Sequence, residues 1–172
     1  MRLFIAVNFN DDTKKGLLAL RDELRAKSER GRFSAPENLH LTLAFLGESS
    51  ADQAAAAKSA MDFAVFSPFS VIIDRVGRFK RAGGDIWWAG VRESKPLVGL
   101  QRGLTEKLIT AGFTLDRRKY SPHITLGREI DTDLQPKMIE PIGETVNSIE
   151  LMKSERIRGK LTYTAIHSII KP

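Results

Sequence analysis

The sequence predicts an α+β fold of two pseudo-symmetric lobes meeting at a central cleft, and two observations carry that expectation. The first is a repeated pattern: His40-Leu41-Thr42-Leu43 and His123-Ile124-Thr125-Leu126 both read histidine-aliphatic-threonine-aliphatic within β-like runs. The second is a shift. Sliding the chain by the 83 residues that separate the two histidines aligns Leu3 with Ile86, Phe4 with Trp87, Ala6 with Ala89 and Leu17 with Leu100. Each half then reads strand, helix, histidine strand, and a pseudo-symmetric pair of such halves brings the two histidine strands together.

The elements follow in order. Arg2 to Asn8 (RLFIAVN) is aliphatic and aromatic enough for a strand. Asn10, Asp11 and Asp12 are N-cap candidates for a helix whose apolar stripe is Leu17, Leu20 and Leu24, running to about Arg30, where Gly31 breaks it. Arg32 to Asn38 contains Pro36 and reads as a connection into the first histidine strand, His40 to Leu46, closed by Gly47. Ser50 and Gln53 have capping-box spacing, so the Ala-rich run to about Phe63 is a second helix.

Phe69 to Phe79 and Asp85 to Val91 read as strands joined at Gly83-Gly84. Ser94 and Pro96 start a third helix with Leu97, Leu100, Leu104 and Leu108 on one stripe, and Gly112 is its C-cap candidate. The second histidine strand spans about Pro122 to Arg128. Charges and prolines from Glu129 to Gly143 suggest a surface loop. Two final strands, about Val146 to Ser154 and Lys160 to Ile170, flank a turn at Glu155 to Gly159.

At 172 residues the chain can bury one sizeable core. It has no cysteine, which excludes disulfides, thiolate metal sites and cysteine nucleophiles. The apolar run Leu3 to Val7 is too short for a signal-peptide core, and no run has the length of a membrane span, so a cytoplasmic protein with no membrane partner is expected. A net charge of +6 suits a polyanion such as RNA, given a site that holds phosphate.

The repeated pattern supplies that site. In a strand, alternate side chains share a face, so His40 and Thr42 project together while Leu41 and Leu43 point into a core; His123 and Thr125 pair off in the same way. An imidazole accepts or donates a proton near neutral pH, and a threonine hydroxyl two residues on can donate to an anionic oxygen. Two such strands face to face offer a base, an acid and two hydroxyls around a phosphate, enough for phosphodiester chemistry without a metal. The bland alternative is two satisfied strand histidines. A three-histidine metal site is disfavoured because no carboxylate or further histidine shares the spacing, so neither metal nor cofactor is expected.

RLFIAV, PENLHLTLAFLGE and SPHITLGR resemble the corresponding runs of the 2H phosphoesterase superfamily, and more narrowly its RNA 2′,3′-cyclic phosphodiesterases, historically called 2′-5′ RNA ligases. The resemblance spans essentially the whole chain. It implies one 2H phosphoesterase domain over 1–172, with two interleaved lobes, two antiparallel sheets around the cleft, helices outside, no metal and a monomeric state. It implies hydrolysis of an RNA terminal 2′,3′-cyclic phosphate to a 2′-phosphate, with 2′-5′ joining of tRNA halves in some members. By position, His40 matches the proton donor to the leaving 3′ oxygen and His123 the base that activates water. Thr42 and Thr125 match the phosphate-binding hydroxyls. Arg128 matches a phosphate contact, although strict alternation sends it to the core face, so that role requires a bulge at Gly127.

Two other readings keep or change the chemistry: turnover of small cyclic nucleotides or ADP-ribose cyclic phosphate, and a nucleotide- or RNA-binding module without turnover. Among lesser candidates, His167 lacks the threonine and reads as structural. The clusters Arg78-Lys80-Arg81, Arg117-Arg118-Lys119 and Lys153-Arg156-Arg158-Lys160 are each more often solvated faces than RNA contacts; the one at 117–119 leads straight into the second histidine strand. Trp87, Trp88 and Tyr120 are base-stacking candidates, but alternation lets only one tryptophan face the cleft.

Overall fold

The computed structural model describes residues 1–172. The element order is β1 (Arg2–Asn8), α1 (Asp11–Ala26), β2 (Ser28–Phe33), a 3₁₀ turn (Pro36–Asn38), β3 (His40–Glu48), α2 (Ala51–Asp62), β4 (Phe69–Phe79), β5 (Asp85–Val91), α3 (Lys95–Thr110), β6 (His123–Thr132), β7 (Lys137–Val146), β8 (Ser148–Ile157) and β9 (Lys160–Ile170). Every strand pairing is antiparallel. One sheet has the order β3-β1-β8-β9 and the other β2-β6-β5-β4-β7. This is the expected α+β class.

The sheet orders make the duplication visible. Read from the histidine strand, one sheet runs β3-β1-β8-β9 and the other β6-β5-β4-β7, with β2 added on the outside. The halves are exchanged. β4 closes the first half yet lies beside β5, and β8 follows the second half yet lies beside β1. Likewise α1 packs against β2, β6 and β7, whereas α3 packs against β3 and β4. One apolar cluster accordingly draws Leu3, Ile5 and Leu41 from the first sheet and Trp87, Ile124 and Leu126 from the second.

Local chemistry explains the helix limits. Asn10 caps α1 by accepting from the Thr13 amide at 2.9 Å. Ser50 and Gln53 form the complete capping box of α2, and the Ser94 hydroxyl accepts from the Leu97 amide to start α3, with Pro96 in the first turn. Gly112 follows α3 at φ +99°, the left-handed C-terminal position that glycine occupies without a Cβ penalty.

Two expectations are corrected. The first helix ends at Ala26, not Arg30, because the Ser28 hydroxyl donates to the Leu24 carbonyl at 2.6 Å and the chain leaves as β2. Gly31 therefore breaks no helix. It lies within β2, where a Cβ would stand 2.8 Å from Ile130 and 2.9 Å from Phe33. The stretch 129–143 is mostly strand rather than loop: β6 continues to Thr132 and β7 begins at Lys137. Pro141 is tolerated because β7 is an edge strand and the proline falls where the register with β4 slips, between Met138 and Ile142. A smaller difference is the last hairpin, whose turn is only Arg158-Gly159, both at positive φ as a two-residue turn of this hand requires.

The faces of β1 separate core from cleft. Leu3, Ile5 and Val7 join the main core, whereas Phe4 and Ala6 pack with Met152 and Tyr163 on the opposite face. Behind the histidine strands, Leu41 and Ile124 are both fully buried, at positions related by the 83-residue shift. Truncating either to alanine should cost about 2–5 kcal/mol, the usual range for a buried aliphatic whose site cannot collapse. Urea denaturation of Leu41→Ala and Ile124→Ala checks this; a loss below about 1 kcal/mol at either would contradict the packing described.

Candidate active site

Each histidine is tethered to the segment that leads into its strand. For His40 this is the 3₁₀ turn Pro36–Asn38, whose Asn38 carbonyl accepts from His40 Nδ1 at 2.8 Å. For His123 it is Ser121-Pro122, and the Ser121 carbonyl accepts from Nδ1 at 2.6 Å. Asn38 and Ser121 are themselves 83 residues apart, so the tether is duplicated along with the motif. A carbonyl can only accept, so both Nδ1 atoms carry hydrogen and both neutral rings keep their lone pair on Nε2. In His40 that nitrogen lies 3.0 Å from Thr42 Oγ1, whose hydroxyl donates to it while the ring is neutral.

Aromatic rings fix the imidazole planes. His40 packs in a triangle of rings with Phe4, its centroid 4.8 Å away, and Tyr163, 5.3 Å away and edge-on, which also touch each other at 4.9 Å. His123 meets Phe79 edge-on at 5.2 Å, with Trp88 at 6.3 Å. Trp87 is the tryptophan that turns into the core and Trp88 the one that turns toward the histidine.

The two histidine strands adjoin across a cleft of about 430 Å³ whose lining includes Thr42 and His123. Several bonds hold them there. The Ser34 amide and hydroxyl donate to the carbonyls of Leu126 and Thr125, at 2.9 and 2.8 Å, just before the chain crosses to β3. Tyr120 donates its hydroxyl to the Thr42 carbonyl at 2.8 Å, and Gln101 Nε2 on α3 donates to the Leu43 carbonyl at 3.4 Å. Tyr120 is thus a clasp between β6 and β3, and burial pushes its phenol well above the usual range.

Thr125 shares the half-buried face of β6 with His123, between the buried Ile124 and Leu126. Arg128 is exposed, and the bulge its placement requires is present: the register with β5 slips between Trp87, opposite Gly127, and Trp88, opposite Thr125. The slip moves Arg128 off the core face. His167 is remote from this arrangement, with Nε2 2.7 Å from Asp62 at the end of α2. No three His, Asp or Glu side chains converge as a metal-binding group. Sequence reasoning missed Phe4, Phe79 and Tyr163, which carry no motif; the duplicated carbonyl tether was available from the 83-residue shift.

Burial first, with the charges of His123 and Lys14 adding to it and the Asn38 carbonyl opposing, lowers His40 from its usual 6.5 to about 4.

A family model described as the 2′-5′ RNA ligase superfamily matches residues 11–158. An RNA 2′,3′-cyclic phosphodiesterase of Archaeoglobus fulgidus is 35% identical over 129 residues, covering 74% of this chain and 72% of that protein. One of the same name from Escherichia coli is 31% identical over 171 residues, 96% of this chain and 93% of that protein. The structure of E. coli LigT complexed with 3′-AMP superposes with a TM-score of 0.84 at 28% identity, covering 99% of this chain and 96% of that one.

The lowered His40 value has a stability consequence. As pH falls from 6.5 to 4, the unfolded chain gains a proton at His40 before the folded chain does, so folding weakens through that window. The contribution present above 6.5 is on the order of 3 kcal/mol and is lost by about pH 4. His40→Gln should therefore lose less stability than wild type between pH 7 and pH 4.5, measured by urea midpoint. Parallel losses in the two proteins would refute the lowered value.

Proposed function

This chain belongs to the 2′-5′ RNA ligase superfamily and is a cyclic phosphodiesterase; we propose that it opens RNA terminal 2′,3′-cyclic phosphates to 2′-phosphates by two-histidine acid–base catalysis, without a metal. The observation that carries this reading is the pair of imidazoles held alike at Nδ1, which makes Nε2 the proton-exchanging nitrogen of each ring.

The cyclic phosphate binds between β3 and β6, where the hydroxyls of Thr42 and Thr125 and the guanidinium of Arg128 donate to its non-bridging oxygens. His123 Nε2 removes a proton from water, and the oxygen attacks phosphorus in line with the bond to the 3′ oxygen. That bond breaks, and the proton on His40 Nε2 passes to the departing oxygen, leaving a 3′-hydroxyl and a 2′-phosphate. Base and acid stand on opposite sides of the phosphorus, as in-line displacement requires. A 5′-hydroxyl in place of water gives a 2′-5′ linkage from the same groups.

The low value of His40 sets a condition on this mechanism. A ring at about 4 carries little proton at neutral pH, so it becomes a donor only when an anion lies beside it. The phosphodiester monoanion is that anion, and its charge raises the affinity of His40 for a proton. The acid is thereby armed by the substrate, and the Thr42 hydroxyl, 3.0 Å from Nε2, turns from the ring to the phosphate as the anion binds.

His40→Ala and His123→Ala should each reduce kcat by about a hundredfold or more, the usual worth of acid–base catalysis. The double variant should be little worse than either, because the two act in one step. Near-normal turnover by either folded single variant would remove that histidine from the mechanism. Phosphorus NMR of the product formed in excess EDTA tests the leaving oxygen and the metal independence together. A 2′-phosphate at undiminished rate is expected, and a 3′-phosphate, or loss of turnover restored by a divalent ion, would contradict the scheme.

A further inference from the structure

The cleft is larger than the reacting group. Its 430 Å³ begins at Thr42 and His123 and runs to Gln101 and Thr105 on α3, with the rings of Phe45 and Phe79 on its walls. That is room for a nucleoside beside the phosphate, and aromatic faces suit a base of any identity.

The charges around it are arranged unevenly. Three of its lining residues are Arg81, Arg118 and Lys119, against a single carboxylate, Asp116. Arg118 is occupied: its Nε lies 2.9 Å from Asp116 Oδ2, and its backbone amide donates to the same carboxylate. Nearby Arg78 is matched as well, 3.7 Å from Asp85, whose other oxygen accepts from the Arg81 amide. Arg81 and Lys119 remain without an ion pair. They come from separate segments, the β4–β5 turn and the α3–β6 connection, yet line one cleft. The Arg81 guanidinium lies 5.7 Å from the Phe79 ring, itself against His123.

A cyclic mononucleotide brings one negative charge, and the two histidine strands hold it. An RNA end brings a second, the phosphodiester on the 5′ side of its last nucleotide. We infer that Arg81 and Lys119 bind that phosphodiester, so that the enzyme distinguishes an RNA end from a free cyclic mononucleotide. The assignment rests on the proposed phosphodiesterase reaction and adds to it the residues that select the substrate class. Arg81 donates to the Lys80 carbonyl at 2.8 Å, but neither it nor Lys119 has a carboxylate partner; their shared cleft and their unpaired charge among matched neighbours argue for a common anion.

The test compares kcat/KM for a 2′,3′-cyclic mononucleotide, a dinucleotide ending in the cyclic phosphate, and the same dinucleotide with a neutral methylphosphonate linkage. Wild type should favour the charged dinucleotide over the other two by about tenfold, the scale of two cations meeting one phosphate in solvent. The R81A/K119A variant should lose that preference while its mononucleotide turnover stays within about twofold. Both side chains are exposed, and mononucleotide turnover reports the integrity of the fold. An undiminished dinucleotide preference in the variant, or equal losses on mononucleotide and dinucleotide, would overturn the assignment. Turnover of neither substrate by wild type would overturn the phosphodiesterase reading, and this assignment with it.

Discussion

The constraint on which the site depends is a hydrogen bond that each motif histidine makes to its own backbone. Nδ1–H to the carbonyl two residues upstream costs no additional side chain, fixes the tautomer and aims Nε2 outward. It requires the carbonyl two residues upstream to face the ring, which the 3₁₀ turn Pro36–Asn38 and the Ser121-Pro122 segment achieve. The aromatic neighbours follow from it: once the ring plane is set, Phe4 and Tyr163 on one side, and Phe79 and Trp88 on the other, pack against surfaces that no longer rotate.

Placing two such rings across one cleft is a problem of relative position, and the exchange of elements between halves answers it. With α1 against the sheet of His123 and α3 against the strand of His40, moving one sheet relative to the other would strip apolar surface from both helices. The common core and the cross-strand bonds of Ser34 and Tyr120 act in the same direction. In the proposed reaction small displacements of an acid or a base would degrade in-line chemistry severely, so that reading requires rigidity between lobes more than within either.

The two motifs, the strand-helix-strand order and the α+β class were legible in the sequence because they rest on periodicity and capping, which are local. Two of the edge strands, β2 and β7, were not. β2 reads Ser-Glu-Arg-Gly-Arg-Phe and shows no apolar alternation, because its outer face is solvent and Arg32 meets Glu129 of β6 at 3.0 Å rather than a core. β7 is concealed by Pro141 and its exposed residues. At the site, alternation limited the cleft to one tryptophan without saying which, and flagged that Arg128 needed a bulge, for which the register slips at Leu126. The rings against His40 and the shift of its protonation could not be read in advance. Both arise from burial between strands far apart in sequence, Tyr163 being 123 residues from His40.

The bonds that Tyr120 and Gln101 make to Thr42 and Leu43 also bear on how the molecule behaves in a crowd. β3 is the outermost strand of its sheet, and an outermost strand normally presents free carbonyls and amides that invite pairing with another chain. Here β3 slips register against β1 between Ala44 and Thr42, and two successive carbonyls at the slip are taken by side chains from the other half. A foreign strand could add to this edge only by displacing both. The contacts that assemble the cleft therefore also protect the protein from edge-to-edge aggregation at the strand that carries His40.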